Sequence, residues 1–338
     1  MPRLFAPVCL LAWLGMLLFP ITVAAESQSD ESDSKAVRYW LDRMARAVET
    51  LNYRGTLVHW RDGQMDTLRI IHRADENGIR ERIYSLDGDR REILRDGNQV
   101  RCLLDGDEPL VVQSQLAARL MPNVPLNRLG SPETSYRMRM GDRERVAGMK
   151  TQVVEIAPLD EFRYGYRFWL ERQTGMLLRS ALLDQSGAVL QQLSFVSVEL
   201  GVPINDSELE PAMGEFSLET TLADRGAGYI RNRHRSAWVP RQLPSNFSLV
   251  KAGAGSTAED GSSFEHLIFS DGLASFSIYV EAATGGANTS RIESIGPVHV
   301  FTGVMSDRLI TVVGEVPRET VEYVGRSLQQ LAVGRERN

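Results

Sequence analysis

Apolar residues fall along the chain in two rhythms. Val37, Trp40, Leu41, Met44, Val48 and Leu51 recur every three or four positions, which predicts a helix with one buried face, capped by Asp33 or Ser34. Beyond it the period shortens to two. Strand-like runs alternate with Asp62-Gly63, Asn77-Gly78, Asp87-Gly88, Asp96-Gly97 and Asp105-Gly106. Such dipeptides tolerate the left-handed backbone that tight hairpin turns require, so the pattern predicts an antiparallel meander. After a less regular interval, LVVQSQLAARLMPNVPL (110–126), alternation resumes in YRMRM, TQVVEIA, YGYRFWLE, MLLRSALLD and AVLQQLSFVSVEL, with turns at Thr174-Gly175 and Ser186-Gly187. The interval reads equally as a mobile apolar lid over 110–130 or as a connecting helix.

Both faces of the later strands are apolar. Tyr164, Tyr166, Phe168 and Leu170 share one face of YGYRFWLE; in the last run Leu190, Val196, Val198 and Leu200 face one way and Val189, Leu193 and Phe195 the other. A sheet apolar on both sides needs two covers. Helices can supply one, and the other side can line a cavity for acyl chains, with Tyr164, Tyr166, Phe168 and Leu170 as its candidate contacts.

The strand pattern lapses across residues 206–234, which read as a polar connection between domains. It resumes after WVPRQLPSNF (238–247). HLIFSDGLASFSIYVE (266–281) has the grammar of a β-hairpin hinged on Ser270-Asp271-Gly272, with Phe276, Ile278 and Val280 turned to one side and Ser275, Ser277, Tyr279 and Glu281 to the other. A final helix is expected from Pro317 to Leu331, burying Val321, Val324, Leu328 and Leu331. The expected face of the hairpin for that helix is Phe276, Ile278 and Val280, leaving Tyr279 as a candidate partner contact. The fold class is therefore mainly β (α+β): a large antiparallel sheet with covering helices, then a smaller antiparallel sheet domain with a terminal helix.

The N-terminus changes the picture. An apolar core over residues 8–19 follows Arg3, and Val23, Ala24 and Ala25 supply a small-residue cleavage site. This is the layout of a secretory signal over 1–25. The polar stretch 26–34 is expected to be a disordered leader, 35–205 the first domain, 206–234 the connection and 235–338 the second domain. No later segment approaches the roughly 20 apolar residues of a membrane helix. Cys9 leaves with the signal, so Cys102 stands alone and no internal disulfide is expected; in VRCLLD it reads as a buried thiol.

The formal net charge of −6 lacks the basicity of a nucleic-acid binder. Lys35, Lys150 and Lys251 are the only lysines; the other basic residues are arginine, which grips phosphate in a two-pronged fashion. Arg80, Arg82, Arg90 and Arg91 are candidates for binding anions, lipid phosphates among them, although interspersed Glu81, Asp87, Asp89, Glu92 and Asp96 favour a salt-bridged surface instead. His59, His72, His234, His266 and His299 are scattered without metal-ligand spacing, and GxSxG, Walker and dinucleotide motifs are absent. No catalytic residue, metal or cofactor is expected.

LNYRGTLVH, DGDRREILRDGN, WVPRQLPSNF, FSDGLASFSIYVE and ITVVGEVPRETVEYVGRSL together resemble the RseB/MucB family of periplasmic regulators across nearly the whole mature chain. The resemblance implies a first domain like the lipoprotein carriers LolA and LolB, an open, strongly curved sheet with helices over its hollow. It further implies a protein that binds the periplasmic part of a single-pass anti-sigma factor and shields it from site-1 proteolysis. Lipopolysaccharide, its lipid A part or lipoprotein acyl chains would be the releasing ligand. The competing reading is a periplasmic carrier of lipidated cargo; the second domain favours the regulator, since a carrier needs only the hollow sheet.

Overall fold

The computed structural model describes residues 22–97, 99–104, 134–212, 218–221, 236–256, 263–283 and 290–330. The interval 110–130, the turn Asp105-Gly106 and residue Leu331 lie outside them, as do the side chains of residues 99–104, Cys102 included.

Helix α1 spans Thr22–Thr50. Val37, Leu41, Met44 and Ala47 are buried on one face, as the spacing predicts, with Ala47 taking the place expected of Val48. The helix begins earlier than expected, so residues 26–34 are helical rather than a disordered leader. The stretch contains neither proline nor glycine, and Glu31 pairs with Lys35 one turn on at 2.7 Å. Asp33 and Ser34 therefore lie inside the helix rather than at its cap.

The first sheet joins two meanders. Strands β1 (Tyr53–Arg61), β2 (Gln64–Asp75), β3 (Gly78–Ser85), β4 (Arg91–Asp96) and β5 (Gln99–Leu104) form one wing. The other wing runs through β6 (Tyr136–Val146), β7 (Met149–Pro158), β8 (Gly165–Glu171), β9 (Leu177–Leu183) and β10 (Val189–Leu200). Antiparallel pairing of β1 with β10 fuses them, and with β11 (Leu218–Thr221) at one edge the order is β11-β5-β4-β3-β2-β1-β10-β9-β8-β7-β6, an open sheet. Asp62 and Gly63 both have positive φ, 52° and 75°, the pairing of signs a two-residue hairpin turn needs.

One face of this sheet joins α1 in a single core containing Tyr53, Leu57, Ile70, Ile83, Phe168, Leu170 and Leu193. Across β7 to β9 the opposite face is closed differently. Trp169 donates its indole N–H to Glu144 at 2.8 Å and lies beneath the guanidinium groups of Arg179 and Arg167, 5.1 and 6.0 Å from the ring centre. The arginine stems thus do the covering.

Residues 206–234 are not wholly a connection. Asp206–Leu209 forms a one-turn helix, α2, and Leu218–Thr221 adds strand β11 beside β5 at the sheet's edge. Their polar composition concealed this, because α2 is held chiefly by ion pairs and an edge strand by backbone bonds.

The second domain is a six-stranded antiparallel sheet in the order β13-β14-β15-β18-β17-β16. Its strands are β13 (Ser248–Ser256), β14 (Ser263–Ser270), β15 (Ser275–Ala282), β16 (Arg291–Ile295), β17 (Val298–Met305) and β18 (Arg308–Gly314). Helix α3 (Arg318–Ser327) closes it. Phe276, Ile278 and Val280 share a core with Val321 and Val324, as the hairpin pattern required. The helix stops short of Leu331: Leu328–Gln330 leaves as strand β19 to pair with β12 (Trp238–Pro240). Ser327 marks the departure, its hydroxyl donating to Gln242 O at 3.0 Å.

Candidate functional site

The loop between β7 and β8, DEFRY (160–164), is where the domains meet. Asp160 accepts a hydrogen bond from Phe162 N at 3.0 Å, a tight local turn that aims Arg163 out of the first sheet. Arg163 is wholly buried. Its Nε donates to Asp271 Oδ2 of the second domain at 2.5 Å, and its two terminal nitrogens donate to Asp160 and to the backbone oxygen of Ser245. Its guanidinium lies 4.6 Å from the centre of the Phe247 ring.

Asp271 is equally occupied. Oδ1 accepts from Leu273 N and Ala274 N at 2.9 and 2.8 Å, and Oδ2 also accepts from the Tyr136 hydroxyl at 2.9 Å. Burial, followed by the neighbouring Asp271 charge, pushes the Tyr136 pKa well above its ordinary value and keeps the hydroxyl a donor. A buried arginine and carboxylate so fully partnered specify one docking geometry, whereas either alone would be a costly buried charge.

Further contacts extend the seam. Asn246, at φ 65°, donates to Thr134 Oγ1 and Ser135 Oγ at 2.7 and 2.6 Å. The Thr320 hydroxyl donates to Phe162 O at 2.8 Å, and Phe162 packs on Tyr323 with ring centres 4.9 Å apart. Leu273 packs against the first domain's core. His299 Nδ1 donates to Val316 O at 2.9 Å and lies 3.4 Å from the Tyr164 hydroxyl. Beside them Glu315 is half-buried, but its Oε1 is sealed from solvent without a hydrogen-bond partner. Burial raises its carboxyl pKa from the ordinary 4.5 to about 7, with Arg61 opposing the shift. Where Gly296 meets the β1–β2 turn, a Cβ would come within 2.6 Å of Asp62 Oδ2.

The four candidate arginines do not form one strip. Arg80 and Arg82 lie on the sheet face away from α1, where Arg80 pairs with Asp206 at 3.0 Å and Asp96 at 3.6 Å, and Arg82 pairs with buried Glu92. Arg91 is one residue out of phase and reaches Asp66 at 2.8 Å; Arg90 is exposed in the turn before β4. Phe168 and Leu170 are fully buried in the core shared with α1, and Tyr166 is packed against it. An acyl chain reaching them has to displace some of that packing. Tyr164 belongs to the domain seam. Tyr279, expected to be exposed, is half-buried and stacked on His266 with ring centres 4.3 Å apart.

Sequence reasoning missed Arg163 and Asp271. The available signal was the length of the hairpin loop: four residues, 271–274, separate β14 from β15, too many for a simple Asp-Gly turn and including an apolar Leu273. Among the described residues, no group of His, Cys, Asp and Glu could hold a metal ion, and no helix is long and apolar enough to cross a membrane.

Two family models match this two-domain layout, the MucB/RseB N-terminal domain over residues 36–213 and the MucB/RseB C-terminal domain over 232–329. The chain belongs to the MucB/RseB family. It is 30% identical to the sigma factor AlgU regulatory protein MucB of Pseudomonas aeruginosa over 97% of this chain and 98% of that one. The sigma-E factor regulatory protein RseB of Escherichia coli K12 is 25% identical, with 94% and 97% covered. A crystal structure of MucB in complex with MucA(peri) superposes with a TM-score of 0.68 at 29% identity, covering 87% of this chain and 99% of that one. These MucB/RseB relatives are named as regulatory proteins rather than enzymes.

Proposed function

We propose that this chain is an exported, periplasmic regulator that holds the periplasmic segment of a membrane-spanning anti-sigma factor and shields it from the first proteolytic cut. The observation carrying this reading is the MucB structure solved with MucA(peri), which this chain matches across both domains. The signal-like residues 1–25 support export. Release follows when an amphiphile with acyl chains, such as lipid A, binds the first domain. A ligand releases a partner only if it prefers the arrangement the partner does not. Two domains meeting at a polar seam provide such arrangements without either core unfolding.

The test combines three measurements on the purified mature chain: affinity for the anti-sigma periplasmic segment, protection of that segment from the site-1 protease, and both again with lipid A added. Tight binding, protection, and loss of both on adding lipid are expected. Saturable lipid binding without any affinity for the anti-sigma segment would replace the regulator by a lipid carrier.

A further inference from the structure

Several arginines behind the first sheet and in the seam are neutralised. Arg54, Arg73, Arg80, Arg82, Arg91, Arg163 and Arg167 each contact a carboxylate. At the tip of the β6–β7 hairpin, cations without such partners gather in one place. Arg143, Arg145, Lys150 and Arg172 line an open cleft of about 430 Å³ together with one acid, Glu144. All four cations are exposed, and no ion pair joins any of them to a described carboxylate. Arg145 donates only to Gly148 O at 2.9 Å, while Glu144 is turned to the Trp169 indole. Four positive charges converging on a concave surface, in a chain of net charge −6, repel one another and focus a positive potential outward.

A second feature adjoins the cleft. Arg43 of α1 donates to the backbone oxygens of Arg172 and Gln173 and lies over the rings of Trp40 and Tyr39, at 4.7 and 5.7 Å. Tyr39 is 56% exposed. Aromatic rings with a polar edge beside a cluster of arginine and lysine are the composition that settles at a membrane's headgroup layer. We infer that this corner of the first domain docks on an anionic phospholipid surface, with Arg143, Arg145, Lys150 and Arg172 receiving phosphate groups and exposed Tyr39 entering the headgroup layer, while Trp40 stays packed on the core. Such docking would keep the chain at the bilayer independently of any protein partner.

The experiment is co-sedimentation of the purified mature chain with vesicles of phosphatidylcholine alone or mixed with phosphatidylglycerol, without anti-sigma segment. Binding to the anionic vesicles alone, falling steeply with salt, is expected. Each of R143Q, R145Q, K150Q and R172Q should weaken it about fivefold. Y39S should weaken it less, and the control variant R308Q, exposed at the start of β18 in the second domain, should bind as the native chain does. Thermal unfolding of each variant checks that the exposed substitutions leave the fold intact. Equal binding to neutral vesicles, no binding, or native binding by R143Q/R145Q/K150Q would overturn the inference. So would displacement by millimolar inorganic phosphate at constant ionic strength, which would make the cleft a small-anion site. Affinity for the anti-sigma segment in lipid-free buffer should not change in the cleft variants, so failure here leaves the regulatory reading standing.

Discussion

Two groups of arginines show how the same side chain does different work in different surroundings. Behind the first sheet, Arg54, Arg73 and Arg80 hold α2 through Glu208 and Asp206, with much of the cluster open to water. Arg163 makes one ion pair across the domain seam, fully buried, and its counter-charge Asp271 is buried with it. In water the charges of the first group are screened and their loss is shared among several partners. In the seam no solvent replaces a missing partner, so one substitution governs how the domains sit.

The largest expected effect comes from Arg163→Met, which keeps the volume but leaves Asp160 and Asp271 short of a cation. Removing one partner from a buried pair costs about 3–5 kcal/mol. Calorimetry should show lower stability and separate unfolding of the two domains; a single unchanged transition would mean the seam rests on its other contacts.

Glu315→Gln probes the same seam through pH. Because its pKa is about 7 in the folded chain against an ordinary 4.5, the folded state holds the proton more tightly between these values. Stability contributed by this group is therefore full below about pH 4.5 and falls as pH rises to about 7. With the residue only half-buried by area, the difference should be on the order of 1–2 kcal/mol. Glu315→Gln should match the native chain near the acid end and exceed it above about pH 7, in denaturant titrations run across the range. A constant difference at every pH would assign the effect to packing.

The smallest effect is expected for Arg80→Gln with Asp206→Asn. An exposed pair of this kind contributes little, and less in high salt. A loss as large as that of Arg163→Met would show that the back of the sheet is as exacting as the seam.

What was legible in the sequence was local. Asp62-Gly63 and the other described turns announced their hairpins because the backbone signs they need are a property of two neighbouring residues. Phe276, Ile278 and Val280 announced a buried face by alternation alone. The fusion of β1 with β10 was not legible, since Tyr53 and Leu200 become neighbours only after everything between them has folded. Neither was α2: Asp206 and Glu208 look like linker residues until Arg73, Arg80 and Arg54 are placed opposite them. Asp271 showed its turn chemistry and hid its other role, because Arg163 and Tyr136 approach it from another domain.

The same fusion of wings imposes an order in time. Strand β1 can pair with β2 at once across a two-residue turn, but its other edge waits for β10, well over a hundred residues further along the chain. Until then that edge, with Leu57 destined for the core, is open to any strand that passes. Pairings so distant in sequence form slowly and leave partly folded chains prone to aggregation. The central strand pair of the finished sheet is thus the chain's most vulnerable place while it is being made.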